Sequence, residues 1–386
     1  MFYFRERIDR ELVNKINKRI VKCQTENREK EVEESQGEET GEGEKKNKGK
    51  LIIDATCSPA DISYPTDLEL LNKAREQTER IIDKLHKGRE GKLKEKPRDY
   101  RKKARKQYLE VAKKRKPSQE KIRKGIGKQL KYLNRNISNI KKILSSGANL
   151  KQLKKSEQRM YETVQELYRQ QLWIFENNKK SIEKRIVSLN QPHVRPIVRV
   201  KAGKNVEFGA KIVASCVDGY VFLDHLSWEN FNESCLLKEQ IEKFKEERGH
   251  YPESVHVDKI YRTRENRRWC KEKGIRMSGP PLGRPPAYIS KEEKRQANDD
   301  ERIRNWIEGK FGQAKGRFSL NRVMAKLQNT SETAIAISFL VMNLSTLLRQ
   351  VFCVYFWQKY FFLGFSLSLI IVELINEKQS LYKFIA

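Results

Sequence analysis

No C-x-x-C pair occurs in this chain, although it has six cysteines, at 23, 57, 216, 235, 270 and 353. That absence excludes a zinc ribbon and a thioredoxin-type motif. Scattered thiols in a chain of 386 residues read instead as reduced and cytosolic. Histidine is scarce as well. The five, at 86, 193, 225, 250 and 256, show no spacing that suits zinc. The N-terminal MFYFRERIDRE lacks a long apolar core and does not read as a signal peptide. With 34% charged and 37% hydrophobic residues, the chain is too polar for a polytopic membrane protein and apolar enough to fold. Acid is in deficit: 51 Asp and Glu stand against 81 Lys and Arg, a formal net charge of +30. Solubility does not need such a surplus. It points to a polyanionic partner, nucleic acid before an anionic membrane.

The length allows two domains, and composition divides the chain further. Residues 5–25 predict an amphipathic helix, with Ile8, Leu12, Ile16 and Ile20 as its apolar stripe. Residues 26–44 hold nine Glu against two basic residues and almost nothing apolar, so 26–49 reads as an acidic, disordered linker. Leu51, Ile52 and Ile53 form a short buried-strand pattern that ends at Asp54. Helical patterns fill 65–189. Within them, residues 92–124 carry sixteen Lys and Arg against four acids. Ile126, Leu130, Leu133, Ile137, Ile140 and Leu144 make a heptad seam. A similar seam resumes from Leu153 to Ile174 after a break at Gly147, which suits a helix C-cap. Asn149 with Gln152 suits an N-terminal capping box. The expectation is a long antiparallel helical hairpin. Three strand patterns follow over 197–228, with Asp218-Gly219 as a hairpin turn. Then come a helix over 233–248, a strand 254–257 ending at Asp258, a helix over 262–273, a short strand 275–277, a Pro/Gly loop, and helices over 299–316 and 331–349.

Asp54 and Asp258 each end a predicted strand, where α/β folds tend to place ligand-binding and catalytic residues. Asp also follows strands simply because turns favour it. On the helix 299–316, Arg304 lies about 40° and Lys315 about 20° from Glu308 around the axis, so the three share one stripe. Arg304 and Glu308 alone would read as an ordinary i, i+4 salt bridge. Together with two strand-end aspartates in a basic protein, Glu308 points to metal-dependent phosphoryl transfer. Three carboxylates can hold two divalent ions about 3.5–4 Å apart. All-oxygen ligation suits Mg²⁺ or Mn²⁺ rather than Zn²⁺.

LIIDATCSPADISYPTDLELLNKARE, HVDKIYRTRENRRWCKEKGIRMSGPPLGRP and ERIRNWIEGKFGQAKGRF, with KAGKNVEFGAKI and LVMNLSTLLR, resemble segments of the DDE-class insertion-sequence transposases of the insertion-sequence-five group. The likeness spans about residues 50–350. It implies an α/β fold, an RNase H-like mixed sheet flanked by helices, made of 50–64 plus 190–350 and interrupted by the basic helical insertion 65–189. It implies that Asp54, Asp258 and Glu308 converge as ligands of two Mg²⁺ or Mn²⁺ ions. Related transposases carry Tyr-x2-Arg-x3-Glu-x6-Lys. Arg304, Glu308 and Lys315 match that spacing, whereas Glu301 stands where the Tyr would be. The implied activity is strand cleavage and strand transfer of an insertion sequence. The implied partners are double-stranded DNA, at element ends and target, and further copies of the chain on that DNA. The implied location is the bacterial cytoplasm at the nucleoid. Relatives carry a further N-terminal domain, so 1–25 is expected to be its remnant. The chain could then be a catalytically inactive DNA-binding remnant of such an enzyme.

The one long apolar run is 351–372, within the tail 351–386, and it is interrupted by Lys359. Its length permits a membrane span. The charge favours a segment packed on the core or on a partner.

Overall fold

The computed structural model describes residues 8–35, 47–87, 96–198, 206–280, 283 and 290–353, with the backbone alone for 25–35. It is a mixed α/β molecule with two cores, one around a sheet and one inside a helical block.

The first helix, α1 (Arg10–Ser35), runs on into the acidic segment read as a linker. Glu is a good helix former, and no Gly or Pro interrupts the sequence before Gly37. Its buried face is also displaced from the expected stripe. Val13, Asn17 and Val21 are buried, while Leu12 and Ile16 are exposed.

Strand β1 (Lys50–Pro59) is the centre of the sheet. On one side it pairs antiparallel with β3 (Val206–Val217), from Ile52↔Cys216 to Pro59↔Gly209. On the other it pairs parallel with β5 (Ser254–Val257), from Lys50↔Ser254 to Ile53↔Val257. β6 (Arg276–Met277) lies parallel beyond β5. The outer edge of β3 is shared. β2 (Arg195–Val198) takes its first residues and β4 (Tyr220–Ser227) takes Lys211 to Val217. Asp218 and Gly219, with φ of 53° and 83°, close the β3–β4 hairpin as the sequence predicts for a two-residue turn with both central residues left-handed. The first of the three predicted strands, over 197–203, is met by β2 at Ile197 and Val198, and its residues 199–203 lie outside the described residues.

Strand alternation sorts the sheet into two faces. Leu51, Ile53, Val255 and Val257 meet α6 (Leu237–Arg248) through Ile241 and Phe244. Ile52, Ala214 and Cys216 meet α8 (Lys291–Arg317) and α9 (Gln328–Cys353), among them Ile307, Phe311 and Phe339. A smaller helix, α7 (Arg264–Glu272), joins β5 to β6. α8 starts earlier than the predicted 299 because Ser290 and Glu293 form a capping box, at 3.0 and 3.1 Å. α9 is long and apolar enough to cross a membrane by length and composition alone, yet Ile335, Phe339 and Met342 are fully buried in this core.

The helical block comprises α2 (Asp67–Lys87), α3 (Arg101–Ala112), α4 (Gln119–Ser145) and α5 (Lys155–Glu176). The seam on α4 is real, but its main partner is α2, with α5 on the flank. Leu71, Leu133, Val164 and Leu167, all fully buried, close one core, and Ile82, Ile140 and Ile143 continue it. The sequence showed the stripe on each helix and not which helix faced it. Between α4 and α5, Gly147 has φ 93°, fitting the predicted cap. Asn149 instead caps a short 3-10 turn, accepting from Lys151 N at 2.9 Å. The start of α5 is capped by Glu157, which accepts from Lys154 N at 3.1 Å.

Candidate active site

Asp54 does not end its strand, contrary to expectation. β1 continues to Pro59 because the antiparallel ladder with β3 runs on after the parallel ladder with β5 has stopped. What ends at Asp54 is the parallel pairing. Its last register pair is Ile53↔Val257, and Asp54 and Asp258 are the next residues on the two strands. Neighbouring strands lie about 4.8 Å apart. Two residues distant in sequence thus stand side by side where the parallel pairing ends. By alternation Asp54 follows Ile52 onto the face that α8 covers.

α8 brings the third carboxylate. Asp54, Asp258 and Glu308 line one open cleft of about 840 Å³, with Lys211 and Glu233 on its wall. Asp54 carries a perturbed carboxyl. Burial first, then the negative charges of Asp258, Glu233 and Glu308, push its carboxyl up to about 6, against the N–H of Ala55, which donates to it at 2.8 Å. Asp258 is exposed and accepts from Lys259 N at 2.7 Å. Glu308 accepts from Arg304 at 2.8 Å.

Arg304 is not directed at the cleft. Its side chain is largely buried and bridges Glu308 and Glu301, the latter at 2.6 Å. The acid that replaces the tyrosine of the related signature therefore pairs with the arginine of that signature. Lys315 lies two turns beyond Glu308 on α8, half-buried, and does not line the cleft.

Two features escaped the sequence reading. One is the Lys211–Glu233 pair at 2.8 Å, with Lys211 also donating to the carbonyl of Phe231 at 2.7 Å. It gives Glu233 a cation partner on the cleft wall. The second is a buried relay that ties α8 to the sheet. Ser254 Oγ lies 3.1 Å from His256 Nε2, and His256 Nδ1 lies 3.7 Å from Asp300. Asp300 in turn accepts both arms of Arg276, at 2.7 and 2.9 Å. Burial chiefly holds the imidazole below its usual range, outweighing the attraction of Asp300. Ser, His and Asp in this order suggest a nucleophilic triad, but Ser254 and His256 are fully buried and no substrate reaches them. Arg276 and Asp300 join β6 to α8, with His256 of β5 against the pair. His256, two residues before Asp258 on the same strand face, was the available clue.

The cleft offers carboxylate oxygen as its donor chemistry, which suits a hard divalent cation. The raised Asp54 marks a carboxyl that is held off ionisation by burial first and by neighbouring acids second, a cost that such a cation would offset. Among the described residues, no three His, Cys, Asp or Glu side chains are close enough to hold an ion as they stand.

Residues 255–345 match the family model of the transposase DDE domain. The match supports a DDE-class transposase. It contains Asp258 and Glu308 and stops short of Asp54, which the fold supplies from a distant part of the chain. No curated protein matches the chain.

Proposed function

We propose that the protein is a DNA transposase that cleaves element ends and transfers the freed strand, with Asp54, Asp258 and Glu308 as its catalytic carboxylates. The observation that carries this reading is the register. Asp54 and Asp258 both follow the pair Ile53↔Val257, and one cleft joins them to Glu308. Two Mg²⁺ or Mn²⁺ ions, when bound there, would activate the attacking oxygen and stabilise the leaving one. The chain's own contribution is placement. The Ala55 N–H orients Asp54, the Lys259 N–H orients Asp258, and Arg304 holds Glu308.

An RNase H-like core is part of the proposal. It is supported by three successive antiparallel-linked strands followed by a strand parallel to β1. The helical block enters between β1 and β2, as an insertion would. It presents the DNA-binding surface, since Lys102, Lys103, Arg105 and Lys106 of α3 are exposed while Ala104 anchors the helix on α4. The proposed setting is the bacterial nucleoid, with more than one copy acting on the DNA.

The test is Mg²⁺-dependent cleavage of the element's own end DNA. Asp54→Asn, Asp258→Asn and Glu308→Gln should each abolish cleavage and leave duplex binding intact. An active Asp54→Asn protein would overturn the assignment. Binding without any cleavage by the wild-type chain would favour a DNA-binding remnant.

A further inference from the structure

α1, α6 and the sheet line a cavity of about 620 Å³, a size within the range of small-molecule sites. It shares no lining residue with the carboxylate cleft. Gln240 of α6 lines it and is 5% exposed, yet neither its Nε2 nor its Oε1 has a hydrogen-bond partner among the described residues. Folded proteins bond nearly all of their buried polar atoms. A buried amide open at both ends therefore marks a place where something else bonds it.

Asp224 reaches the same cavity through an irregularity in the sheet. Val213 pairs with His225 and Ala214 with Leu223, so Asp224 is the extra residue of a β-bulge between β3 and β4. Bulges re-aim side chains, and Asp224 lines the cavity with Phe222 and Ser215. It accepts a hydrogen bond from Ser215, while its Oδ2 has no partner among the described residues. Burial chiefly pushes its carboxyl up to about 6. The unpartnered groups are thus an amide donor, an amide oxygen and a carboxylate oxygen. Phe222 and Phe244 supply apolar walls. Lys18, Arg19, Lys22, Lys243 and Arg248 outnumber the three acids of the lining.

We propose that this cavity binds a free adenine nucleotide. Adenine presents an acceptor at N7 and an amine with two N–H bonds at N6, and a Gln side chain pairs with both positions at once. Gln240 Nε2 would donate to N7. The N6 amine would donate one N–H to Gln240 Oε1 and the other to Asp224 Oδ2. Guanine has O6 at that position, an acceptor facing two acceptors. The rings of Phe222 and Phe244 suit the faces of a base, and the surplus of cations suits its phosphates. Lys18 of α1 pairs with Glu247 of α6, and both line the cavity. That link between the two helices admits a single nucleotide more readily than a continuous DNA strand.

Calorimetric titration of the full-length chain with ADP tests this, in EDTA so that no divalent ion enters the carboxylate cleft. One ADP should bind per chain, about tenfold or more tighter than GDP. Gln240→Leu replaces an unpaired amide with an apolar group of similar size, so the thermal midpoint without nucleotide should stay equal or rise. The same variant should bind ADP about tenfold or more weakly than the wild type. Arg19→Ala with Lys243→Ala, one from each helix, should weaken ADP about fivefold or more and leave adenosine unchanged. A wild-type chain that binds no ADP would leave water as the occupant and overturn the proposal. Equal affinity for ADP and GDP, wild-type affinity in Gln240→Leu, or displacement of ADP by oligo(dA) would overturn it as well.

Discussion

Asp54 shows how a site can work against the fold that holds it. Its carboxyl titrates near 6 rather than near 3.8, so the folded state binds its proton more tightly than the unfolded chain does. Between those values folding takes up a proton, and stability falls as the pH rises. Above them the ionised Asp54 costs on the order of 2–3 kcal/mol in the metal-free protein. Asp54→Asn removes that cost. Thermal unfolding without metal should show the variant more stable than the wild type at pH 7.5, with the gain shrinking as the pH falls toward 4. Mg²⁺ or Mn²⁺ should raise the wild-type midpoint and raise that of Asp54→Asn much less. A variant less stable than wild type at pH 7.5 would remove the electrostatic account. Glu301 offers a second test at this scale. Glu301→Gln takes away one of the two acids on Arg304 and tightens its remaining pair with Glu308. Cleavage should therefore need more Mg²⁺ than in the wild type, while duplex affinity stays the same.

At the scale of elements, the crossing of β1 and β3 is the tightest constraint. A Cβ at Gly209 would lie 2.1 Å from the carbonyl oxygen of Ser58, which is backbone and cannot rotate away. Gly209→Ala should destabilise the fold by about 3 kcal/mol or more, through the overpacking that such a contact forces. Urea unfolding would measure it, and a change under 1 kcal/mol would mean that the strands separate easily. In the helical block, Leu133→Ala should cost about 2–5 kcal/mol, because the side chain is fully buried between α2 and α5. α8 is held differently. Its position over the carboxylates depends on Asp300, which burial alone would push up and which Arg276 and Gln296 together bring below its usual range. The helix that carries Glu308 is thus fixed at one end by charge and further along by Ile307 and Phe311.

Charge dominates the molecule as a whole. A surplus of thirty positive charges is unevenly spread, and α3 with the turn after it carries an exposed share. Replacing Lys102, Lys103, Arg105 and Lys106 with Ala should weaken duplex binding at every sequence. The slope of log affinity against log salt should fall by about 0.9 for each of these side chains that neutralises a phosphate. An unchanged slope would move the DNA interface elsewhere, toward the sheet domain.

The elements themselves were legible because their signals are local. Alternation marked β3 to β5, the heptad marked α4, and Asp218-Gly219 marked the hairpin. The segments carrying Asp258 and Glu308 were legible for the same reason, since each lies in one continuous stretch. Partnership was not. The stripe on α4 could not say that α2 would cover it, and of the stripe predicted on α1, Leu12 and Ile16 face outward while Ile8 packs on the core. Nor could Leu51–Asp54 reveal that β1 runs on to Pro59, because only the antiparallel ladder with β3 keeps it extended. That Asp54 and Asp258 stand side by side beside Glu308 was decided by register, a property of paired strands that neither strand carries alone. The same holds for the raised carboxyl of Asp54. Its causes are burial and the charges of residues about 180 to 250 positions away, which only the folded chain brings near.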